Sequence, residues 1–179
     1  MHVGLDAEQI VDTALELMDL HGVEWLSMRR LAQHLGVSPP TLYWHVRSKE
    51  ALWRMVAQRV LSGLEFPSPQ EASWEARVRH LMTSVRGQLL DHPSVLELLG
   101  RVLPEAVDRM TAEALDILTS AGFEGAEADR YVRIMTWLVF GFSFMEAELE
   151  SGATDTDGQY AAMIELFVNG LEAARVAPR

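Results

Sequence analysis

The sequence predicts an all-α protein with a small N-terminal helical domain and a larger C-terminal one. Apolar residues recur at spacings of three and four along most of the chain, which is the period of a helix buried on one side. Residues that can cap a helix precede these runs, and glycine or proline follows them. No stretch shows the strict alternation of apolar and polar residues that is typical of a half-buried strand.

The composition is that of a folded protein without covalent cross-links. The 179 residues are 49% apolar and 23% charged, and they include no cysteine, which excludes disulfides and thiolate metal sites. The first residues are acidic where a signal peptide would be basic, and the longest apolar run, residues 134–145, is too short to cross a bilayer. We therefore expect a cytoplasmic protein that has no membrane partner.

The first helix is predicted to begin after Asp6, an N-cap with Gln9 three residues later, and to end at Gly22. Its acidic residues are expected to form a solvated outer face: Asp12, Glu16 and Asp19. Its inward positions are expected to be Ile10, Ala14, Leu17, Met18 and Leu20.

Three further helices follow closely. Ser27 is placed to cap a second helix that Gly36 stops, and Ser38 caps a third whose first residues are Pro39 and Pro40. Two short helices joined by a glycine-containing turn are typical of a helix-turn-helix. A fourth helix is capped by Ser48, ends near Gly63 and directs Leu52, Met55, Val56 and Val60 inward.

The third helix is predicted to present an exposed polar and aromatic surface. With Leu42 and Val46 facing inward, the side chains left outward are Thr41, Tyr43, Trp44 and His45. Six basic residues and one acid lie between Ser27 and Arg59, whereas nine basic residues and nineteen acids follow Leu64. A local basic patch can bind phosphates even in a chain of net charge −11, so this stretch indicates a nucleic-acid surface.

The proline-containing stretch Leu64–Ser73 is interpreted as a linker between a domain of residues 1–63 and one of residues 64–179. The second part is predicted to be all helix, without internal repeats. We expect helices from Ser73 to Asp91, from Pro104 to Gly122 (through Val107), from about Ala126 to Glu150 and through Tyr160 to Leu171, with a short segment Ser94–Leu103 and a polar loop Ser151–Gly158.

The long helix is apolar all round in its middle, so it must be covered on both sides. One face carries Tyr131, Ile134, Met135, Leu138, Phe142 and Met145; the other carries Trp137, Phe140, Gly141 and Phe144. The last helix likewise has Ala161, Ala162, Leu166 and Gly170 opposite its main apolar face. These patterns predict a homodimer through the last two long helices, and the alternative is a monomer with the long helix at its centre.

The motif LAQHLGVSPPTLYWHVRSKEAL resembles the TetR family of bacterial one-component regulators. The resemblance is strong over about residues 5–63 and continues weakly into the next helix. It implies an N-terminal helix-turn-helix domain that binds operator DNA and a C-terminal domain that binds a small-molecule inducer and dimerises. The positions it implies for DNA binding are Ser27, Arg29, Arg30, Ser38, Pro39, Pro40, Thr41, Tyr43, Trp44, His45, Arg47 and Lys49.

Two departures from the family pattern concern specificity. Tetracycline-binding members hold a drug-bound magnesium through a histidine in the short central helix, and the segment PSVLELLGRVLP contains none. Pro39 stands where an amide side chain is common. We therefore expect an apolar or aromatic ligand, no metal and no cofactor. The candidate ligand-binding residues are Leu81, Val85, Leu89, Leu99, Leu103, Met110, Trp137, Phe140 and Phe144.

The sequence thus favours a sequence-specific DNA-binding regulator, a repressor released from its operator by a small apolar or aromatic ligand. One alternative is a helical small-molecule-binding or interaction protein that does not bind DNA. Another is an all-α enzyme, but no nucleotide-binding or nucleophile motif and no catalytic constellation is present, so we expect no enzymatic activity.

Overall fold

A computed structural model describes residues 6–64, 66, 72–98, 107–149 and 155–176. All regular structure in these residues is helical. The helices are α1 (Ala7–His21), α2 (Met28–His34), α3 (Pro39–His45), α4 (Lys49–Ser62), α5 (Trp74–Asp91), α6 (described over 93–98), α7 (Asp108–Ser120), α8 (Gly125–Ala147) and α9 (Thr156–Val176).

The chain divides into two compact units. The first unit runs to Gly63 and takes in the segment Asp91–Asp108; the second unit is formed by Leu64–Leu90 and by the chain from Arg109 onward. The first unit therefore contains α1–α4 and α6. The second contains nearly all of α5, together with α7, α8 and α9.

The first four helices begin where the capping residues predict. A side-chain oxygen of each N-cap accepts a hydrogen bond from the backbone N–H three residues later, which satisfies one of the free donors of a helix start. The four pairs, with N···O distances of 2.8, 3.2, 3.3 and 3.1 Å, are Asp6 with Gln9, Ser27 with Arg30, Ser38 with Thr41 and Ser48 with Ala51.

A glycine sets the turn between α2 and α3. Gly36 has a φ of 69°, in the left-handed region where a side chain is disfavoured, and the N–H of Val37 donates to the carbonyl of Ala32 at 3.0 Å. Within α3 itself, only Leu42 is buried. Leu42 and Val46, which follows the helix, anchor α3 in the core, and as a result the rest of α3 is exposed.

The second unit is built on the inward rows of its four helices. The buried row of α8 is spaced by three and four residues, as an amphipathic helix requires. Edge-to-face ring contacts link the start of α5 to α8: Phe123 lies 6.5 Å from Trp74 and 5.1 Å from Tyr131 between ring centroids. The main buried residues are Val78, Leu81, Met82, Val85 and Leu89 of α5; Met110, Ala114, Ile117 and Leu118 of α7; Ala128, Val132, Met135, Val139 and Ser143 of α8; and Tyr160, Ile164, Val168 and Leu171 of α9.

Arginines of α5 form ion pairs with the other three helices of this unit. Arg86 donates to Glu146 of α8 through Nε at 2.8 Å and also to Asp157 of α9 at 2.6 Å. Arg77 is almost fully buried and bonds Glu113 and Asp116 of α7. Because these partners lie 36 to 71 residues from the arginines in sequence, the pairs fix how the helices of this unit pack.

The pair between Arg86 and Glu146 gives a testable pH dependence. The hydrogen bond from Arg86 lowers the pKa of Glu146 below its ordinary value of 4.5. A lowered folded-state pKa means that the stabilisation is complete above about pH 4.5 and is lost as the pH falls through the folded value. We expect Glu146→Gln to lower the free energy of unfolding at pH 7 by about 1.5–3 kcal/mol. Between pH 7 and about pH 3.5, the free energy of unfolding should also decrease less in the variant than in the wild type.

Urea denaturation of the wild type and of Glu146→Gln, at pH 7 and at about pH 3.5, measures this effect. Glu165→Gln is the control, since Glu165 pairs with Arg79 in a more exposed setting and its removal should change the midpoint less. Equal midpoint changes for the two variants would contradict the structural role given to Glu146.

Several sequence predictions require correction. Val107 precedes α7 rather than lying in it, while Pro104 and most of the predicted linker lie outside the described residues. The last helix begins at Thr156, so it includes the end of the predicted polar loop; residues 151–154 of that loop lie outside the described residues. The sequence predicts that Leu20 and Met145 face inward, but both are exposed, because each lies outside the row of buried residues on its helix.

Two acids of α1 also differ from the prediction of a solvated face. Asp12 accepts a hydrogen bond from Arg59 of α4 at 2.8 Å. Asp19 bonds the ring of His92 at 2.8 Å and the hydroxyl of Ser94 at the start of α6. These contacts tie α1 to α4 and α6 within the first unit, and the sequence pattern gave no sign of them.

Candidate nucleic-acid interface and ligand site

Helix α3 presents the surface that the sequence predicted. Thr41, Tyr43, Trp44 and His45 are exposed, and so are Pro39 and Pro40 in the first turn. Trp44 is 87% exposed, which is rare for so large an apolar side chain. Since the same helix buries Leu42 completely, the exposure reflects a fixed orientation of α3 within its unit. A short helix that is anchored on one side and exposed on the other has the form of a DNA-reading element.

The hydroxyl groups at the start of α3 are held by the cap itself. Ser38 Oγ accepts from the N–H of Thr41 and lies 2.8 Å from the Thr41 hydroxyl. The prolines at the first two helical positions give up N–H groups that have no partner inside the helix. The first turn of α3 therefore has a defined geometry before any ligand binds.

The predicted basic contacts fall into two groups. Arg29 and Arg47 are exposed side chains on either side of α3 in sequence. Arg30 is held in place, because its guanidinium donates to the carbonyl of Trp25 at 2.6 Å and lies 4.7 Å from the centre of the Trp25 ring.

Lys49 is held in a similar way. Its ammonium lies 4.8 Å from the ring centroid of Trp53, a buried residue of α4, and Ser48, which caps α4, precedes it. The tryptophans that hold Arg30 and Lys49 were not singled out in the sequence. The spacing of four between Lys49 and Trp53 on one helix is the signal that could have identified the second of them.

The count of positive charges in this stretch overstates the free charge. Arg59 pairs with Asp12 at 2.8 Å and lies 3.7 Å from Glu8, and the hydrogen bond that its guanidinium donates to Asp12 raises the pKa of Arg59. Its charge is therefore compensated within the first unit. The exposed arginines on either side of α3 in sequence, Arg29 and Arg47, are both positions that the family motif implies for DNA binding.

The nine predicted ligand residues separate into three groups. Leu81, Val85, Leu89 and Met110 are buried in the second unit, and Phe140 is half-buried. Trp137 and Phe144 are 67% and 51% exposed, so neither lies in the interior of the single chain. The reason is that both lie on the face of α8 opposite the buried row. Leu99 and Leu103 lie outside the described residues.

An open groove of about 210 Å³ runs between α5 and α9. Its polar walls are satisfied internally, because Arg79 pairs with Glu165 and Arg86 with Asp157. The Tyr160 hydroxyl donates to the Met82 carbonyl at 2.7 Å, and burial raises the pKa of Tyr160, which keeps this donor protonated. None of the seven predicted ligand residues that the structure describes lines the groove, whose lining residues are Arg79, Thr83, Arg86, Asp157, Tyr160, Ala161, Ile164 and Glu165.

The outer faces of α8 and α9 are apolar and exposed. Large side chains on them include Trp137, Phe144 and Leu166, the last at 75% exposure. Small exposed residues on the same two helices allow close approach of another helix: Gly141 on α8, and Ala162 and Gly170 on α9. Ala161, predicted on the same face, lines the groove between α5 and α9 instead. A group of exposed large apolar residues on adjacent helices is typical of an interaction surface. No helix in the described part of the chain combines the length and apolarity needed to cross a bilayer.

A profile described as "Bacterial regulatory proteins, tetR family" matches residues 10–56. The matched stretch contains α2 and α3 whole, with most of α1 and the first half of α4.

Similarity to complete repressors extends well beyond this stretch. Tetracycline repressor protein class E from Escherichia coli is 34% identical over 155 residues, which cover 84% of this chain and 71% of the relative. Tetracycline repressor protein class D from Escherichia coli is 30% identical over a span of the same length and coverage.

Solved structures are similar over nearly the whole chain. Mycobacterium smegmatis BioQ superposes with a TM-score of 0.84 at 27% identity, covering 94% of this chain and 99% of BioQ. BioQ bound to its natural double-stranded DNA operator superposes with a TM-score of 0.79 at 27% identity, covering 95% of this chain and 99% of the BioQ chain.

Proposed function

Because the chain belongs to the TetR family of bacterial regulatory proteins, we propose that it is a repressor which an uncharged apolar or aromatic ligand releases from operator DNA. It is a ligand-responsive DNA-binding regulator of transcription. The observation that supports the repressor proposal most is the exposed surface of α3, where Trp44 is largely exposed and Leu42 is buried. We propose that it acts in the cytoplasm, since its operator DNA would lie there.

In this proposal residues 1–63 form the DNA-binding domain and residues 64–179 the ligand-binding and dimerisation domain. Two chains associate through α8 and α9, whose exposed apolar faces carry Trp137, Phe144 and Leu166. The dimer presents two copies of α3 to half-sites about 34–36 Å apart, or a multiple of that distance, on a pseudo-palindromic operator.

Each α3 enters the major groove. Thr41, Tyr43 and His45 contact base edges and backbone, and Trp44 packs on a sugar or a thymine methyl. Arg29, Arg47 and Lys49 contact phosphates, which makes affinity depend on salt. Ser27 and Ser38 set the starts of α2 and α3, and Arg30 approaches the backbone from its fixed position against Trp25.

Pro39 gives a specificity prediction. A proline ring offers no hydrogen-bonding group, so the base it faces is expected to be read through an apolar contact with a thymine methyl. Pro39→Gln should shift the preferred base at that operator position from thymine to adenine, because glutamine can bond adenine at two atoms. The shift should be about 5–100-fold in relative affinity, equivalent to about 1–3 kcal/mol.

Selection from an operator library randomised at each base pair measures this preference. Gln33→Ala, an exposed change on α2, is the control and should keep the native preference. An unchanged preference in Pro39→Gln would show that this position does not read a base.

Release by the ligand follows from linkage. The ligand lowers operator affinity only to the extent that it binds the DNA-free conformation better than the DNA-bound one. The buried apolar residues Leu81, Val85, Leu89 and Met110 are the described candidates to contact it, with Phe140 at the edge. The relatives include tetracycline repressors. In this chain the segment PSVLELLGRVLP has no histidine, the residue through which tetracycline-binding members hold the drug-bound magnesium.

An electrophoretic mobility shift with the DNA that flanks the gene for this protein tests the function. A shift that resists nonspecific competitor and weakens steeply between about 50 and 200 mM salt supports the proposal. The absence of a salt-sensitive, sequence-specific shift would reject it and would favour a helical binding protein that does not read DNA.

A further inference from the structure

One hydroxyl in the interior of the second unit differs from the others. Ser143 on α8 is completely buried, and its Oγ has no hydrogen-bond partner among the described residues. Two threonine hydroxyls in this unit each bond a backbone carbonyl of their own helix: Thr136 bonds Val132 at 2.8 Å and Thr119 bonds Leu115 at 2.7 Å. Ser143 does not, so its hydroxyl keeps its full hydrogen-bonding capacity.

The register of α8 directs this hydroxyl inward. The buried residues Met135, Val139 and Ser143 follow one another at intervals of four, which places them on one face. On the next turn of α8, Glu146 accepts a hydrogen bond from Arg86. Phe142, the residue before Ser143, has its ring centroid 5.0 Å from that of Tyr160. The polar groups of this neighbourhood are thus already paired with one another.

Burial of an unpaired hydroxyl is unfavourable, and an alanine at this position would avoid that cost. A hydroxyl in such a place is explained if a bound molecule supplies its partner. The charge of buried Arg77 is already balanced, because its terminal nitrogen bonds the carboxylates of Glu113 and Asp116. Its Nε has no partner among the described residues, but Arg77 lies near the start of α5 and its side chain pairs with α7.

We propose that Ser143 is the hydrogen-bonding group of the ligand site and donates to a carbonyl oxygen of an uncharged, largely apolar ligand. This inference rests on the proposed function of a ligand-controlled repressor. The buried residues of α5, α7 and α8 around the second-unit core are otherwise almost entirely hydrocarbon or thioether. An ionised ligand would enter this core without a free opposite charge among the described residues, which is strongly unfavourable. Ser143 thereby sets selectivity for an oxygen-bearing ligand over a hydrocarbon of the same shape.

Three naphthalene derivatives test this assignment on the full-length protein by titration calorimetry. 2-Acetonaphthone carries the carbonyl, 2-ethylnaphthalene replaces the oxygen by hydrogens, and 2-naphthoate carries a charge. The ratio of the dissociation constants for the ethyl and acetyl compounds should fall by about five- to tenfold in Ser143→Ala, which corresponds to one hydrogen bond. Thr136→Val is the matched control, since the Thr136 hydroxyl is already bonded within its helix, and its ratio should equal that of the wild type.

Stability gives a second readout. Removal of an unpaired hydroxyl should leave the urea midpoint of Ser143→Ala equal to or above that of the wild type. The assignment is overturned if that midpoint falls, if the ratio is unchanged in Ser143→Ala, if 2-naphthoate binds as tightly as 2-acetonaphthone, or if the wild type binds none of the three. A mobility shift on the same samples reports operator binding independently, so failure of the ligand assignment is distinguished from failure of the repressor proposal.

Discussion

Replacing Tyr43 and Trp44 together by alanine is expected to weaken operator binding by about 100-fold or more while the fold stays intact. Both side chains lie on the exposed face of α3, and Trp44 makes little contact with its own chain. Each specific contact with a base or sugar edge contributes about 1–3 kcal/mol, and two of them account for this loss. Because Leu42 and Val46 hold α3 in place, thermal stability should not fall.

Fluorescence anisotropy with labelled operator DNA measures the affinities, and circular dichroism measures the melting temperatures. The paired change Gln33→Ala with His34→Ala on the exposed face of α2 is the control and should keep affinity within a fewfold of the wild type. Full operator affinity in the Tyr43 and Trp44 variant would mean that another surface reads the DNA.

Glutamate in place of both Trp137 and Leu166 is expected to convert the proposed dimer to a monomer and to abolish operator binding at concentrations where the wild type is saturated. A dimer interface on α8 and α9 would bury these positions, and an unpaired carboxylate buried there is strongly unfavourable. A monomer offers only one α3 to a two-part operator, so it loses most of the affinity that simultaneous binding of two half-sites provides.

Sedimentation equilibrium gives the association state of each protein. Leu20→Glu is the matched control, because Leu20 is 74% exposed, almost the same as Leu166, and lies on α1 in the other unit. This control should remain a dimer and bind the operator. A dimer that survives both glutamates would place the interface elsewhere.

Features set by local sequence were predictable. Asp6, Ser27, Ser38 and Ser48 each cap a helix through a bond to an N–H three residues away, so a short window of sequence contains the whole interaction. The outward face of α3 was predictable for the same reason, since Leu42 and Val46 fix its inward side within one turn.

Features set by distant partners were not predictable. The bond between Arg86 and Glu146 joins residues 60 apart, and that between Arg59 and Asp12 joins residues 47 apart. Helical periodicity indicates that a face is apolar, but it does not tell whether the chain's own core or a second chain covers that face. Trp137 and Phe144 are an example, because the sequence makes them candidate ligand residues and both are exposed in the single chain.

Hydroxyl-radical footprinting of the operator identified by mobility shift tests the central claim most directly. A dimer that inserts two copies of α3 should protect two patches related by a dyad, with centres one helical turn of DNA, about 10 base pairs, or a multiple of it apart. Both patches should disappear in the Tyr43 and Trp44 variant at the concentration that saturates the wild type. A single patch, or two patches that persist in that variant, would contradict recognition by a pair of α3 helices.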